Sequence, residues 1–254
     1  MKILITGHEG FIGKNLVEEL RDSHDLFLYE WHETERPSVE GMDWVIHLGA
    51  ISSTTETDVE KVMTQNLDFS VWLYKQCCEH KVNLQWSSSA SVYGPENTTF
   101  KESDSVDPRS PYAWSKYLFE RHIEKNPCND IVVQGFRYFN VYGDHEDHKG
   151  QQASPYHKFS IQAKEKNKIT LFEGSDNFRR DFVPVKYVVN THTNFFNVSE
   201  SGVWNVGTGV ATSFFDVAHT FNVDLEFIPM PEIIAKHYQK YTCADTSKLE
   251  NTLK

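Results

Sequence analysis

The sequence predicts an α/β fold built around a doubly wound parallel sheet. Short apolar runs alternate with segments of helical periodicity through the first half of the chain, which is the pattern of parallel strands joined by crossover helices. Three glycines follow the first apolar run and open the first helical segment. The 254 residues are 39% hydrophobic and 13% aromatic, so the chain can bury a core of domain size.

The predicted elements follow in a regular order. Each strand is an apolar run bounded by turn residues, and each helix carries apolar residues at helical spacing. Strands are predicted at residues 2–6, 25–30, 43–50, 83–89 and 130–139, with helices over 15–22, 59–80 and 112–125. Residues 31–42 leave little room for the further strand and helix of a full sheet. Either that layer is reduced, or residues 37–42 form a short edge strand, which is the favoured interpretation.

Composition narrows the classes of partner and the cellular location. The formal charge of −11 argues against nucleic acid and anionic membranes as partners. No apolar run reaches the length of a membrane span, and the first one is too short for a signal peptide. The cysteines form no CxxC pair, which predicts neither a zinc site nor a disulfide framework; they are Cys77, Cys78, Cys128 and Cys243. We therefore expect a cytoplasmic protein.

The glycine-rich turn predicts a dinucleotide site. Gly7, Gly10 and Gly13 lie between the first strand and the first helix. In that context glycines let the backbone approach a pyrophosphate, which then lies at the positive end of the helix. The domain that contains this turn is therefore predicted to be Rossmann-like.

The choice of cofactor stays open at this level. Glu30 ends the second strand, where a carboxylate accepts hydrogen bonds from a ribose 2′-hydroxyl and favours NAD. The alternative is a solvated strand end. Nearby cationic side chains could instead hold the 2′-phosphate of NADP; they are Lys14, His32 and Arg36.

Beyond residue 142 the pattern loosens into shorter elements. We predict a dinucleotide-binding domain at residues 1–142, to which residues 181–199 return. A smaller C-terminal substrate-binding lobe is predicted from residues 143–180 and 200–254. Residues 214–221 are expected to form a core helix rather than part of a site.

A tyrosine and a lysine form a candidate acid–base pair. Tyr112 and Lys116 are four residues apart on a predicted helix and share one face. The lysine charge can lower the tyrosine pKa, so that the phenol exchanges a proton with an alcohol. Ser89, at the end of a strand, can form a hydrogen bond to the same alcohol oxygen. Asn66 in the helix over 59–80 either ties strand ends together beneath the cofactor or is a plain polar residue.

Residues 144–150, DHEDHKG, collect three acidic side chains, two histidines and one lysine. The segment alone is compatible with a metal site, a solvated loop, or a loop that holds Lys149 for chemistry. The metal hypothesis needs several ligands that face one ion, and nothing nearby supplies a further spaced set. No metal is therefore expected.

Several further segments carry a family resemblance. In chain order they are HLGAISSTTE, GFRYFNVYG, HKG, LFEGSDNFRRDFVPV, WNVGTG and YQKYTCAD. Together with the glycine turn and the YAWSK segment they resemble the extended short-chain dehydrogenase/reductases, and within these the family of ADP-L-glycero-D-manno-heptose 6-epimerases. The likeness runs in the same order from residue 1 to residue 249.

The resemblance implies an epimerase that inverts a sugar carbon by transient oxidation and reduction. It implies bound NADP, with NAD as the alternative, and a nucleotide-sugar substrate, ADP-heptose. The implied catalytic residues are Ser89, Tyr112, Lys116 and Lys149, with Tyr112 and Lys149 on opposite sides of the reacting carbon. The remaining charged residues of the loop are then expected to be solvated; they are Asp144, His145, Glu146 and Asp147.

The resemblance also implies binding residues and a homo-oligomer. Besides the glycines and Glu30, the implied cofactor-binding residues are Phe11, Ile12, Leu48, Gly49, Ala50, Asn66, Tyr112, Lys116 and Val141. The implied substrate-binding residues are Asn140, Gln151, Lys158, Phe172, Glu173, Gly174, Ser175, Arg180 and Tyr238. Phe172 could instead be a core aromatic, and Arg180 could pair with Asp181. Family members associate through helices like those at 57–80 and 112–125.

Departures from the family pattern keep other functions open. Gln151 replaces a serine of the family and Lys158 a histidine, so the sugar is less defined than the reaction class. The first alternative is a UDP-sugar 4-epimerase or a reductase that uses the same Ser89, Tyr112 and Lys116; a 4-epimerase should not need Lys149. A 4,6-dehydratase is disfavoured because Ala90 and Ser91 stand where it requires an acidic pair. The alternative of another class is a non-catalytic cofactor-binding interaction protein.

Overall fold

The computed structural model describes residues 1–49, 51–235 and 238–254. Its strands are β1 (Lys2–Thr6), β2 (Asp25–Tyr29), β3 (Trp44–His47), β4 (Asn83–Ser89), β5 (Thr98–Phe100), β6 (Val133–Tyr138), β7 (Asn140–Tyr142), β8 (Lys168–Phe172), β9 (Arg179–Pro184), β10 (Gly202–Val206), β11 (Ala211–Ser213), β12 (Asp224–Ile228) and β13 (Tyr241–Ala244).

The α-helices are α1 (Phe11–Leu20), α2 (Val59–Val62), α3 (Phe69–His80), α4 (Pro111–Lys125), α5 (Pro155–Lys166), α6 (Val185–Phe195), α7 (Phe214–His219), α8 (Glu232–Ala235) and α9 (Ser247–Thr252). A π-helical segment, Met63–Asp68, joins α2 to α3, and short 3₁₀ helices span Ala90–Tyr93 and Asp147–Gln152.

Six parallel strands form the large sheet, in the order β10-β6-β4-β3-β1-β2. Successive residues of a strand point to opposite faces, and both faces are covered. Ile3 and Ile5 pack under α1 and α6, whereas Leu4 and Val45 pack under α3 and α4. The predicted doubly wound α/β fold is confirmed.

The sheet ends at β2. Residues 30–43 contain neither a strand nor a helix, so the favoured short edge strand at 37–42 is wrong and the layer is reduced. A parallel strand with its crossover needs about a dozen residues or more beyond the strand itself, and this segment is too short for both. Its main contribution to the core is Val39, which is 2% exposed and packs under the α3 side.

A second sheet forms the lobe beside the carboxyl ends of the large sheet. Its order is β11-β9-β13-β5, with β7 paired to β9, and β8 pairs separately with β12. Helices α5 and α7 cover these strands through Phe159, Val217 and Ala218.

Four strands lie on the other side of the expected domain boundaries, and two of them, β7 at residues 140–142 and β9 at residues 179–184, pair with each other in the lobe. Strand β10, at residues 202–206, pairs with β6 in the large sheet and not in the lobe. Strand β5, at residues 98–100, pairs with β13 of the lobe. Only long-range pairing decides these positions, because each strand is short and locally compatible with either sheet.

Candidate active site

The glycine turn brings the start of α1 against the end of β3. Gly7 has φ +77°, and a Cβ there would lie 2.5 Å from the Gly49 nitrogen. A Cβ on Gly13 would overlap the carbonyl oxygen of Gly7. Gly10 caps α1 without a side-chain hydrogen bond, and the first turn of α1 contains no acidic residue. The helix end therefore presents backbone N–H groups and positive potential to a ligand.

Two cavities flank this turn and share Gly7. The first, of about 360 Å³, is lined by Gly10, Phe11, Ile12, Gly13, Leu48, Ser52, Ser53, Ser87, Tyr112, Lys116, Tyr138, His148, Lys149 and Gln152. The second, of about 220 Å³, is lined by Thr6, Tyr29, Glu30, Trp31, Gly49, Ile51, Gln65 and Phe69. We call them the catalytic cavity and the adenosine cavity, after the roles that are proposed for them below. Ala50 lies outside the described residues.

Glu30 borders the adenosine cavity and is held in place. Its carboxylate accepts a hydrogen bond from the Glu9 backbone N–H at 2.6 Å and lies 3.3 Å from His8 Nδ1. The Trp31 indole N–H is buried without a partner among the described residues. Arg36 places its guanidinium 5.3 Å from the ring centre of Phe69 and donates to the His32 carbonyl at 2.7 Å. Lys14 and His32 are exposed and line neither cavity.

Asn66 ties three segments together. Its side chain accepts from the Ile51 backbone N–H at 2.8 Å and donates to the Ile51 carbonyl at 3.0 Å. It also donates to the Ser115 hydroxyl at 3.1 Å. The loop after β3 is thereby fixed to α4, one residue away from Lys116.

Tyr112 and Lys116 face the catalytic cavity from α4. Burial raises the pKa of Tyr112, and a hydrogen bond with Ser89 lowers it. Lys116 is 5% exposed, and burial lowers its pKa to about 7. Its ammonium donates to the Ser87 hydroxyl at 3.2 Å and lies 5.8 Å from the Tyr112 ring centre. The structure thus brings the predicted serine, tyrosine and lysine together.

Lys149 reaches the same cavity from the opposite lobe. It lies in the 3₁₀ segment Asp147–Gln152, with its ammonium 4.7 Å from the ring centre of Phe11. Burial lowers the pKa of Lys149, while the charge of Glu146 raises it and that of Lys158 lowers it.

Glu146 is not a solvated loop residue, as the sequence had led us to expect. It is 1% exposed and accepts from the Gly143 N–H at 3.0 Å, the Ser154 N–H at 2.6 Å and the Ser154 hydroxyl at 2.7 Å. Three donors explain why a carboxylate can be buried here. Within the described parts of the chain, no cluster of three or more metal-ligating side chains occurs.

The lobe contains a third cavity, of about 250 Å³, which we call the lobe cavity. Its walls are Pro155, Lys158, Phe159, Thr170, Leu171, Phe172, Ser175, Phe178, Phe214, Ile228 and Tyr238. Ser175 is 2% exposed, and its hydroxyl has no partner among the described residues. Arg180 lies 5.4 Å from the Tyr238 ring centre and donates to the Gln239 carbonyl. Asp181 does not pair with it but binds the N–H groups of Thr208, Gly209 and Ala244.

The other predicted substrate residues, apart from Lys158, line none of these three cavities. Asn140 donates to the Asp181 carbonyl at 3.4 Å, and Lys158 donates to the Gln151 carbonyl at 2.7 Å. Glu173 and Gly174 are exposed at the turn after β8. Val141 packs beside Ile12 rather than lining a cavity.

Sequence reasoning missed several lining residues. Tyr138 ends β6 opposite Ser89 in the strand register, and its place at a strand end was the available signal. Phe214 lines the lobe cavity although residues 214–221 were expected to be core; only Val217 and Ala218 are buried there. No local pattern distinguishes a lining phenylalanine from a core one.

Residues 36–207 match the NAD dependent epimerase/dehydratase family, and the chain belongs to it. This confirms the predicted class. The ADP-L-glycero-D-manno-heptose-6-epimerase of Brachyspira hyodysenteriae is 36% identical over 291 residues, which cover 97% of this chain and 90% of that protein. The resemblance found in the sequence is therefore confirmed.

Solved structures show the same fold. The ADP-L-glycero-D-manno-heptose-6-epimerase of Helicobacter pylori has a TM-score of 0.88 at 24% identity, with 99% of this chain and 89% of that chain covered. The UDP-glucose 4-epimerase of Thermus thermophilus, solved with NAD, has a TM-score of 0.81 at 25% identity, with 99% and 92% covered. Among the described residues, no helix is long and apolar enough to cross a membrane.

Proposed function

We propose that this protein is a nucleotide-sugar epimerase that acts on ADP-heptose at C6. The observation that carries the proposal is the catalytic cavity, because one volume is lined by the glycine turn and by both Tyr112 and Lys149. Two acid–base groups that approach from different lobes suit inversion at one carbon. One group can take the hydroxyl proton on one face, and the other can supply a proton to the oxygen on the opposite face.

The residues present fit a nicotinamide dinucleotide. The glycine turn packs so closely on itself and on Gly49 that a Cβ on Gly7 or Gly13 would not fit, and such a turn lets the backbone approach a pyrophosphate. The Trp31 indole N–H, which is buried without a partner among the described residues, is a donor at the adenosine cavity. Gly7, Gly10, Gly13 and Glu30 would hold the dinucleotide, with Lys116 and Tyr112 beside its reactive end. When bound, such a cofactor supplies reversible oxidation of an alcohol.

Of the two cofactors we propose NAD as the tighter ligand, although the resemblance implied NADP. The Glu30 carboxylate, held by the Glu9 N–H, suits a ribose 2′-hydroxyl and repels a 2′-phosphate. Titration of cofactor-free protein with both dinucleotides tests this. Tighter binding of NADP would contradict it and make Arg36 the deciding group.

Lys116, together with Tyr112, and Lys149 would carry out the proton transfers. Lys116, whose pKa burial lowers to about 7, changes charge near neutral pH and can exchange its proton with Tyr112 through Ser87, Ser89 or solvent. The pKa of Lys149 is also lowered by burial, which brings a primary amine closer to the range of a general base.

The walls of the lobe cavity suit the nucleotide part of the substrate. Its aromatic walls, Phe172, Phe178 and Tyr238, suit a base. The Ser175 hydroxyl, which has no partner among the described residues, can offer that base a hydrogen bond. Arg180, which lies beside Tyr238, suits a diphosphate because a guanidinium binds phosphate oxygens bidentately. Binding of ADP to cofactor-free protein, lost in Arg180→Met, is the expected result.

We also propose a homo-oligomer formed through α2 and α4. Val59 is 54% exposed, and Trp114 and Leu118 on α4 are 43% and 36% exposed, which makes an apolar surface typical of an interface. Sedimentation should show an oligomer, which the double substitution Trp114→Glu and Leu118→Glu should dissociate.

A cytoplasmic location fits the described cysteines, all of which are free.

A UDP-sugar 4-epimerase is the second candidate, because the same Ser89, Tyr112 and Lys116 would serve it and the Thermus thermophilus structure shares the fold. Lys149 separates the two. Purified protein incubated with ADP-D-glycero-D-manno-heptose should form the C6 epimer, followed by NMR. Lys149→Met and Tyr112→Phe should abolish conversion, and the exposed control Lys164→Met should not. Conversion of a UDP-hexose that survives Lys149→Met would favour the second candidate.

A further inference from the structure

The glycine turn carries an ionisable side chain that the proposed function does not use. His8 directly follows Gly7, and its side chain is 23% exposed. The ring nitrogen Nδ1 of His8 is buried and makes no hydrogen bond with the described residues. It lies 3.3 Å from Oε1 of Glu30, the carboxylate that follows β2. The protonation state of His8 therefore determines the charge beside Glu30.

The two oxygens of the Glu30 carboxylate have different surroundings. Oε1 accepts the Glu9 backbone N–H at 2.6 Å and also faces His8. Oε2 has no hydrogen-bond partner among the described residues, and Glu30 borders the adenosine cavity. The carboxylate can therefore stay bound to the glycine turn through Oε1 while Oε2 accepts a hydrogen bond from a ribose hydroxyl.

The charge at this corner of the adenosine cavity depends on pH. Histidine is the side chain whose charge ordinarily changes between pH 5 and 8. Neutral His8 leaves the negative charge of Glu30 uncompensated, whereas a proton on Nδ1 would turn the 3.3 Å contact into an ion pair. Among the described residues, no other charged group of the neighbouring segments lies within ion-pair distance of His8; these groups are Glu9, Lys14, His32 and Arg36.

We propose that His8 is a specificity-determining residue whose charge sets the choice between NAD and NADP. This deepens the proposed function, because it rests on dinucleotide binding at the glycine turn. The two cofactors differ only at the ribose 2′ position, where NADP carries a phosphate with a charge of about −1.5 to −2 at neutral pH. Glu30 beside a neutral His8 repels that phosphate, whereas protonated His8 cancels the charge of Glu30 and attracts the phosphate. Low pH therefore favours NADP relative to NAD.

The ratio of the two dissociation constants isolates this effect. Calorimetric titration of cofactor-free protein with NAD and with NADP, at pH 6 and at pH 8, gives the ratio without any turnover. Lys116 also changes charge in this range, but it lies beside the part that both cofactors share, so its effect cancels in the ratio. The 2′-phosphate itself titrates near pH 6, and a variant without an ionisable group at residue 8 corrects for that.

Two substitutions fix the charge at this position. His8→Gln is neutral at both pH values and should retain only the pH dependence of the phosphate. Between pH 8 and pH 6 the preference of wild type for NAD should fall about 5- to 30-fold more than that of His8→Gln, the effect of one nearby charge at a partly exposed site. His8→Lys is charged at both pH values and should show a weak preference for NAD even at pH 8. The control His80→Gln, at the end of α3, should behave as wild type.

The outcomes separate this inference from the proposed function. An equal pH dependence in wild type and in His8→Gln overturns the inference. Loss of the pH dependence in His32→Gln instead would assign the effect to His32 and overturn it as well. A protein that binds neither dinucleotide would contradict both the inference and the proposed function. The expected change in preference without conversion of ADP-heptose would overturn the proposed substrate and leave this inference standing.

Discussion

Lys116 lies under Tyr112 with 5% of its surface exposed, and its charged form is penalised there. Because burial lowers its pKa from 10.5 to about 7, the unfolded chain binds more protons than the folded one between those pH values. The free energy of unfolding therefore rises with pH through that window, and the penalty is complete below pH 7.

Lys116→Met should remove this dependence. In cofactor-free protein at pH 6 the variant should be more stable than wild type, by up to about 4 kcal/mol. The difference should shrink toward pH 10 as the wild-type lysine becomes neutral in the unfolded state too. Urea unfolding at several pH values measures it. Parallel pH profiles for the two proteins would contradict the burial argument.

Glu146 is the second buried charge at the site, and its three hydrogen bonds shape the turn that carries Lys149. Glu146→Gln puts an amide N–H where donors already point, and we expect a loss of about 2–4 kcal/mol in unfolding free energy. The variant also loses the charge that raises the pKa of Lys149, so any titration of activity that Lys149 contributes should move to lower pH. Asp147→Asn, whose side chain is 93% exposed, should change neither quantity.

At the scale of elements, the large sheet and its helices were predictable from the sequence. The π-helical interruption between α2 and α3 was not. Residues 59–80 have continuous helical periodicity, yet Met63–Asp68 adopts a π-helical turn. Such turns are common at functional sites, and this one carries Asn66. Asn66 accepts one hydrogen bond from the Ile51 backbone and donates another to it, across fifteen residues of sequence. No local sequence pattern specifies this pair of hydrogen bonds.

Asn66→Leu tests the value of that turn. The backbone groups of Ile51 and the hydroxyl of Ser115 would lose their partner, and we expect a cost of about 1–3 kcal/mol. Cofactor affinity should fall as well, because Ile51 and Gly49 border the adenosine cavity. Thermal denaturation and NAD titration measure both effects. The exposed control Lys75→Ala on α3 should leave them unchanged.

At the scale of the whole molecule, the grouping of Ser89, Tyr112 and Lys116, which we propose to be catalytic, was predictable because motif and chain order specify it. The fold of the lobe was harder to predict from the sequence, because its sheet is assembled from five short strands that lie between residues 98 and 244. Glu146 and Phe214 are positioned by tertiary packing that no local sequence pattern specifies, whereas Tyr138 could have been inferred from its place at a strand end. The match to a relative over 291 residues, more than the 254 of this chain, indicates that the relative carries insertions that this chain does not need for its fold.

The unpaired edge of the large sheet at β2 affects how readily the protein aggregates. No strand of the described residues pairs with the outer edge of β2, where Phe27 and Leu28 are 43% and 46% exposed. Such an edge can pair with another copy, and at neutral pH the charge of −11 opposes that encounter. Turbidity should therefore rise near the isoelectric point of about 5.5, and Phe27→Lys should suppress it, whereas Lys75→Ala should not. The missing layer makes this protein's solubility depend on electrostatic repulsion between whole molecules.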